Sequence, residues 1–321
     1  MTPSQQRFGR YAVGVVLYNI FVILWGAFVR ATGSGAGCGD HWPDCNGEVI
    51  PWDAGTETLI EFTHRATSGL ALLSTVVLIV WAFRAWPTRH RVRRAAAASM
   101  FFMVMEAAVG AALVLLELVA HNDSVARAWV MGAHLVNTFL LMGALTLTAW
   151  WGRGAPGRVA SLPMPVRAGL GIAVVLTLAL GASGGVTALG DTLFPADSLA
   201  DGIAQDFSPT AHFLIKLRVW HPLLAVVTAG WLIVIAGVTA GTRPAPMVRR
   251  AAAAVVTVVF VQVTVGAVNL LLLAPVPLQL LHLLLADLLW MALVVLCASA
   301  VGASPQDLAG EPPLQPVPSP N

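Results

Sequence analysis

The chain has 321 residues, 57% of them hydrophobic and 11% charged, with a formal net charge of +2 and a mean hydropathy of +0.78. Soluble domains carry about a quarter of their residues as Asp, Glu, Lys or Arg, so this composition excludes an ordinary water-soluble globular protein. The near balance of charge gives no reason to expect a nucleic-acid partner.

An apolar helix needs about 20 residues to cross a hydrocarbon core roughly 30 Å thick. In chain order the sequence holds eight such stretches, at about 11–31, 63–84, 95–117, 127–151, 166–188, 213–240, 248–273 and 278–301. The first is too long, and too poor in a small-residue cleavage site, to be a signal peptide. The connection at about 32–62 is long and acidic and carries Cys38 and Cys45. The one at about 189–212 is also long and acidic but has no cysteine. From Gly302 onward the run EPPLQPVPSP is Pro-rich and apolar-poor, the composition of a disordered tail.

Basic residues set the expected orientation. Arg7, Arg10, Arg84, Arg89, Arg91, Arg93, Arg94, Arg153, Arg158, Arg167, Arg243, Arg249 and Arg250, 13 of the 18 Lys and Arg, fall on the N-terminus and the second, fourth and sixth connections. Arg30, Arg65, Arg127, Lys216 and Arg218 lie at the opposite span ends. The positive-inside rule then puts both termini in the cytoplasm and the two long acidic loops outside the cell membrane.

A repeat organises the spans. VRRAAAA occurs at Val92–Ala98 and Val248–Ala254, and the same offset pairs Glu106 with Gln262, Gly110 with Gly266 and Ala111 with Ala267. Gly26 and Gly181 open related GA…T…G strings at the ends of the first and fifth spans. Alanine-rich matches arise by chance, but four spans in register with paired histidines are a strong signal. With an even number of spans, the halves share one topology, related by an axis along the membrane normal. The expected fold is all-α and integral to the membrane: eight transmembrane helices as two pseudo-symmetric four-helix bundles, N-in/C-in. Residues 1–157 form the first bundle, 158–301 the second and 302–321 a cytoplasmic tail.

His64, His134, His221 and His282 each sit near the start of an even-numbered span, one pair in each half. Arg84, Arg153 and Arg243 follow the first three by 20, 19 and 22 residues, roughly 28–33 Å at 1.5 Å per residue. Each histidine therefore lies near the outer edge of the hydrocarbon, and the members of a pair share a depth. A lone membrane histidine more often bonds between helices. Two matched pairs favour ligation of a flat metal macrocycle, haem, between two imidazoles in each half. His41, His90, His121 and His212, in loops or at margins, are read as solvated.

The runs GAFVRATGSGAGCGDHWPDCNGEVIP (Gly26–Pro51), EFTHRATSG (Glu61–Gly69) and GAHLVNTFLL (Gly132–Leu141) resemble the haem A synthase family. WHPLLA (Trp220–Ala225) and LLHLLLADLLW (Leu280–Trp290) resemble the matching sites of its second half, so the likeness runs from about residue 11 to 301. The resemblance implies an eight-span oxidoreductase that converts the C8 methyl of haem O to a formyl group. Two oxidations, through a hydroxymethyl group, give a gem-diol that loses water, and the product is haem A for cytochrome oxidase. It implies that His64 and His134 flank the substrate haem, and that His221 and His282 ligate a resident haem b.

Glu61 stands one turn before His64 on the same helix face, and its counterpart 157 residues on is Arg218. A carboxylate beside the substrate can move protons or stabilise developing positive charge, which makes Glu61 the catalytic candidate. The plainer reading is an interfacial acid favoured by the helix dipole. Cys38 and Cys45 face an oxidising compartment, where a disulfide is the favoured state. The resemblance links this pair to catalysis, by redox exchange or by shaping the loop, and a structural staple is the other reading. A metal site of Cys38, His41 and Cys45 lacks a fourth ligand.

Arg30, Arg65, Lys216 and Arg218 are candidate propionate partners, against ordinary snorkelling. Glu106 and Asp287 could serve a proton path but are read as protonated, hydrogen-bonded packing residues, and Cys297 as buried apolar. No flavin or nicotinamide fingerprint is present, so electrons pass through an unidentified electron-transfer partner or a quinone. A haem O synthase alongside and a homo-oligomer are both compatible with such a bundle in membrane lipid. The competing class is a dihaem b-type electron-transfer cytochrome, which leaves the Glu61/Arg218 asymmetry and the cysteine loop without a purpose.

Overall fold

Helix boundaries fall where the chain supplies a cap or a proline. In the computed structural model, which describes residues 1–155 and 162–302, α1 (Pro3–Ala31) opens with a capping box. Thr2 Oγ1 accepts the Gln5 N–H while the Gln5 side chain accepts the Thr2 N–H, satisfying two orphan donors reciprocally. Next, α2 (Thr56–Ala85) stops at Trp86, the extended residue before Pro87. His90 caps α3 (Arg91–Leu115) by accepting the Val92 N–H on Nδ1, and Ser124 caps α4 (Val125–Gly152).

The second half begins with α5 (Met164–Leu193), which has proline in its first turn, where the missing N–H is harmless. The short α6 (Leu199–Asp206), capped by Ser198, lies within the 189–212 connection. Then α7 (Phe213–Arg218) and α8 (Trp220–Thr242) make one apolar stretch broken at Val219. Pro222 has no N–H to offer the Arg218 carbonyl four residues back, so the helix parts there. Prolines also open α9 (Pro246–Leu271) and α10 (Val276–Val301).

Taking α7 and α8 together, eight helices are long and apolar enough to cross a membrane, in agreement with the eight expected spans. The helices overrun those limits, by eight residues at Pro3 and seven at Thr56, because backbone hydrogen bonding continues past the apolar stretch that sequence counting detects. The only extended pairing among the described residues is a single bridge, Cys45 to Glu48. The expected 157/158 boundary, Arg158 and the tail beyond Gly302 lie outside the described residues.

Contacts run round a first ring, α1–α2–α3–α4, and a second, α5–α8–α9–α10, with α1, α4, α5 and α10 meeting between them. Trp290 of α10 donates its indole N–H to the Phe139 carbonyl of α4 and stacks on that ring at 5.7 Å and 13°. Gly143 leaves room for the indole: a Cβ there would stand 3.2 Å from its Nε1. Arg30 ties α1 across the same boundary, donating to Ala188 O (2.7 Å), Thr192 Oγ1 (2.8 Å) and Gln279 Oε1 (2.9 Å). Buried Thr75, Ser99, Thr177 and Thr239 return their hydroxyls to the carbonyl four residues back, as an interior without water demands.

Candidate functional site

All four span histidines lie at the end of the molecule that carries the disulfide loop, and three press against a glycine of a neighbouring helix. A Cβ at Gly26 of α1 would stand 2.7 Å from His64 Cε1; at Gly266 of α9, 2.8 Å from His282 Cε1; at Gly184 of α5, 3.0 Å from His221 Cε1. Gly110, the repeat mate of Gly266, meets nothing within 4 Å. Gly184 is the residue that faces its histidine as Gly26 does, while Gly181 packs on Phe139.

The ring nitrogens show what the pockets lack. His64 Nδ1, His134 Nδ1 and His282 Nδ1 are buried with no hydrogen-bond partner, a costly state for polar atoms in an apolar interior. His221 Nδ1 is satisfied by Ser183 Oγ at 2.9 Å, which leaves its Nε2 free. The His221 and His282 rings face each other at 6.4 Å between centroids and 83° between planes. Two metal–imidazole bonds of about 2 Å hold the ring centroids across one metal about 6 Å apart, so this pair fits a haem iron between them. Among the described residues no group of three or more His, Cys, Asp or Glu is arranged for a bare metal ion. The imidazoles come in pairs, as a macrocycle that brings its own four nitrogens requires.

Glu61, on α2 one turn before His64, is 4% exposed and held on both oxygens. Oε2 accepts the Cys38 backbone N–H at 2.9 Å; Oε1 accepts Arg65 Nη2 at 2.6 Å and Nε at 3.1 Å. Arg65 Nη1 in turn donates to the carbonyls of His41 and Asp44, both at 2.6 Å. Cys38 and Cys45 form a disulfide, which removes the thiolates from the Cys38–His41–Cys45 metal reading. The loop closes tightly on α2: a Cβ at Gly37 would come within 2.6 Å of the Glu57 backbone.

The four propionate candidates are all engaged by protein. Besides Arg30 and Arg65, Arg218 pairs with Asp206 (2.7 Å) and Asp191 (3.2 Å), and Lys216 Nζ donates to Pro209 O at 2.9 Å. Of the histidines read as solvated, His90 and His212 cap helices through Nδ1.

Glu106 is hydrogen-bonded as expected, by Asn137 Nδ2 and with Thr138 Oγ1 at 2.6 Å. It also comes within 3.6 Å of His134 Nδ1, a contact the packing reading did not anticipate. Its repeat mate Gln262 lies 3.4 Å from His282 Nε2. The parallel spacing of Glu106 and Gln262 in the repeat was the signal for both contacts. Asp287 departs from expectation, being fully buried with neither oxygen bonded.

Fold and site together define a polytopic helical protein with eight helices able to cross a membrane and four histidines near one end, two of which, His221 and His282, face each other. The family model described as cytochrome oxidase assembly protein, COX15-CtaA, matches residues 9–294, and the chain belongs to that family. Its relatives include a Thermus thermophilus protein named protoheme IX farnesyltransferase, 50% identical over 305 residues, covering 94% of this chain and 49% of that protein. The heme A synthase of Lysinibacillus sphaericus is 42% identical over 105 residues, 33% of this chain and 34% of that protein. That of Geobacillus kaustophilus is 40% identical over 104 residues, 32% and 33% respectively. The chain spans about half the length of the Thermus relatives it matches.

Proposed function

We propose that this chain is an oxidoreductase that converts the C8 methyl of haem O to a formyl group, giving haem A for cytochrome oxidase. Substrate haem would lie between His64 and His134, and a resident haem b between His221 and His282. The residue-level support is the position of Glu61: a buried carboxylate one turn from His64, where the other half has Arg218. When bound, haem iron supplies the one-electron chemistry that methyl oxidation needs. The chain's own residues do the rest. The glycine contacts at Gly26, Gly184 and Gly266 set three of the imidazole rings. Arg65 and the Cys38 N–H fix the Glu61 carboxylate in one orientation. Glu61 Oε2, with a single backbone donor, keeps lone-pair capacity to take a proton from the substrate's hydroxylated carbon substituent. The Cys38–Cys45 loop covers this carboxylate and keeps bulk water from it. Both termini are assigned to the cytoplasm and the histidine end to the outer side of the cell membrane, from the distribution of arginines. The two rings of helices are assigned to the two pseudo-symmetric halves.

The name of the Thermus relatives describes proteins of which the match covers half. The reaction class that must supply this substrate is the one they are named for, farnesyl transfer to protohaem IX. The test is chromatography with mass detection of haems extracted from membranes that make haem O, with and without this protein. Hydroxylated or formyl haem should appear with the protein and vanish in Glu61→Ala. Unchanged haem O with two retained b haems and a competent electron partner present would establish the electron-carrying cytochrome instead.

A further inference from the structure

One position is filled differently in the two halves and meets its histidine through different atoms, a carboxyl oxygen toward Nδ1 in the first half and an amide N–H toward Nε2 in the second. Glu106 on α3 and Gln262 on α9 are repeat mates, and each reaches the histidine of the next long helix: Glu106 Oε1 to His134 Nδ1 at 3.6 Å, Gln262 Nε2 to His282 Nε2 at 3.4 Å. The surroundings differ as well. Asn137 Nδ2 donates to Glu106 Oε2, and the Thr138 hydroxyl divides its single proton between Glu106 Oε1 and the His134 carbonyl. Both partners lie on α4 within about one turn of His134, so the carboxyl group is clamped to the helix that carries the imidazole. Gln262 has no such clamp, and its Oε1 is buried without a partner.

His134 Nδ1 is itself buried and unpartnered. Its nearest acceptor stands just beyond hydrogen-bond reach, so a small turn of the ring makes an N–H···O bond to Glu106. A histidine ligand that donates its second N–H to a carboxylate becomes more basic and fixed in tautomer and orientation. Gln262 offers His282 no such acceptor, because the atom it turns to the ring is the N–H donor Nε2.

We infer that Glu106 is a positioning residue that orients His134 through Nδ1 and strengthens it as an iron ligand, and that its repeat mate Gln262 leaves His282 without a carboxylate of that kind. This rests on the reading that both histidine pairs ligate haem. The experiment uses the full chain, purified in detergent, as wild type, Glu106→Gln and Gln262→Glu. Haem content, redox titration of each haem and the low-spin electron paramagnetic resonance signal are measured together. Glu106→Gln should raise the midpoint potential of the first-half haem and leave the other unmoved. Gln262→Glu should lower that of the second-half haem. Haem bound normally in both variants, with unmoved potentials and an unchanged signal, overturns the inference and leaves the haem reading intact. Wild-type protein that holds no haem overturns the haem reading and the inference with it. If Glu106→Gln loses haem, the direction of the Gln262→Glu shift decides alone.

Discussion

The glycines against the histidine rings offer a graded test of ligation. Placing alanine at Gly26, Gly266, Gly184 and Gly110 puts a methyl carbon 2.7, 2.8 and 3.0 Å from an imidazole in the first three and against nothing within 4 Å in the last. Carbon atoms rest about 3.5–4.0 Å apart, so the ring must yield by about 1 Å at Gly26 and Gly266 and by about half that or more at Gly184. An imidazole is the free end of a side chain, so an unligated ring swings aside at little expense. Alanine also gains about 0.8–1.0 kcal/mol of helix propensity over glycine. The fold should therefore tolerate all four variants. Ligation should not. A metal–nitrogen bond of about 2 Å leaves no slack for a 1 Å displacement, and haem retention should fall at least about tenfold in Gly26→Ala and Gly266→Ala, equivalent to about 1.4 kcal/mol or more.

Haem per protein, read from the pyridine haemochrome of each detergent-purified variant beside its thermal unfolding curve, makes the comparison. The expected order of loss is Gly26→Ala, Gly266→Ala, Gly184→Ala, with Gly110→Ala retaining haem at wild-type level. Gly26→Ala should weaken the pocket of the first histidine pair only, and the other two the second pair. Wild-type haem in Gly26→Ala and Gly266→Ala would refute the argument that these rings are held as ligands. Equal loss in all four, Gly110→Ala included, would refute the geometric basis of the ranking.

Arg65→Ala strips Glu61 of its ion pair and the loop of two carbonyl contacts; breaking a buried pair of this kind costs about 3–5 kcal/mol. Hydrogen exchange across residues 37–46 should accelerate, haem O conversion should fall, and Arg65→Lys should not restore it, because one ammonium cannot serve Glu61, His41 and Asp44 together; exchange as slow as wild type would remove the clamp. Replacing Cys38 and Cys45 by serine opens a short loop worth about 2–3 kcal/mol, so limited proteolysis should cut the loop while the helical circular dichroism stays unchanged. Cleavage no faster than wild type would mean that Arg65 alone holds the loop. Burial, and then the neighbouring Arg91, hold the His90 imidazole below its usual pKa. The contribution of this cap to stability is therefore full above the unfolded value of about 6.5 and declines as pH falls below it. Exchange of the Val92 amide, corrected for its intrinsic rate, should quicken between pH 7 and 5.5 and lose that dependence in His90→Asn.

The spans were legible because they rest on a short-range signal, an unbroken apolar stretch of membrane length, and the four histidines stood out as ligand candidates because nothing polar belongs there. The pairing of Gly26 was not legible, since a GA…T…G string fixes residue type but not which face of α5 meets α8, and the face that does so carries Gly184. The four basic residues were legible as cations at span ends and misleading as free ones. Arg30, Arg65 and Lys216 reach backbone carbonyls at Ala188, His41, Asp44 and Pro209, which leave no mark in sequence, and Arg218 reaches Asp206 and Asp191, which the sequence does not tie to it. Helix α6 escaped notice because eight residues within an acidic connection lie far below the length at which apolar content becomes a signal.

The engagement of those cations also changes what distinguishes the two halves. From sequence, the contrast was Glu61 against Arg218, an acid beside one macrocycle and a base beside the other. In the folded protein each is neutralised on the spot, Glu61 by Arg65 and Arg218 by Asp206 and Asp191. A paired charge sends little field beyond its partner, so these residues act on what they touch. Glu61 touches the disulfide loop and, on the proposed reading, the bound substrate, whereas Arg218 touches the segment that carries α6. Glu106 is different: its neighbours Asn137 and Thr138 carry no charge. One electrostatic difference between the histidines on the proposed reading is then a carboxyl oxygen beside His134 where the second half has the Gln262 amide beside His282. If both histidine pairs hold haem as proposed, that exchange is a means for two similar pockets to hold the same kind of ligand at different potentials.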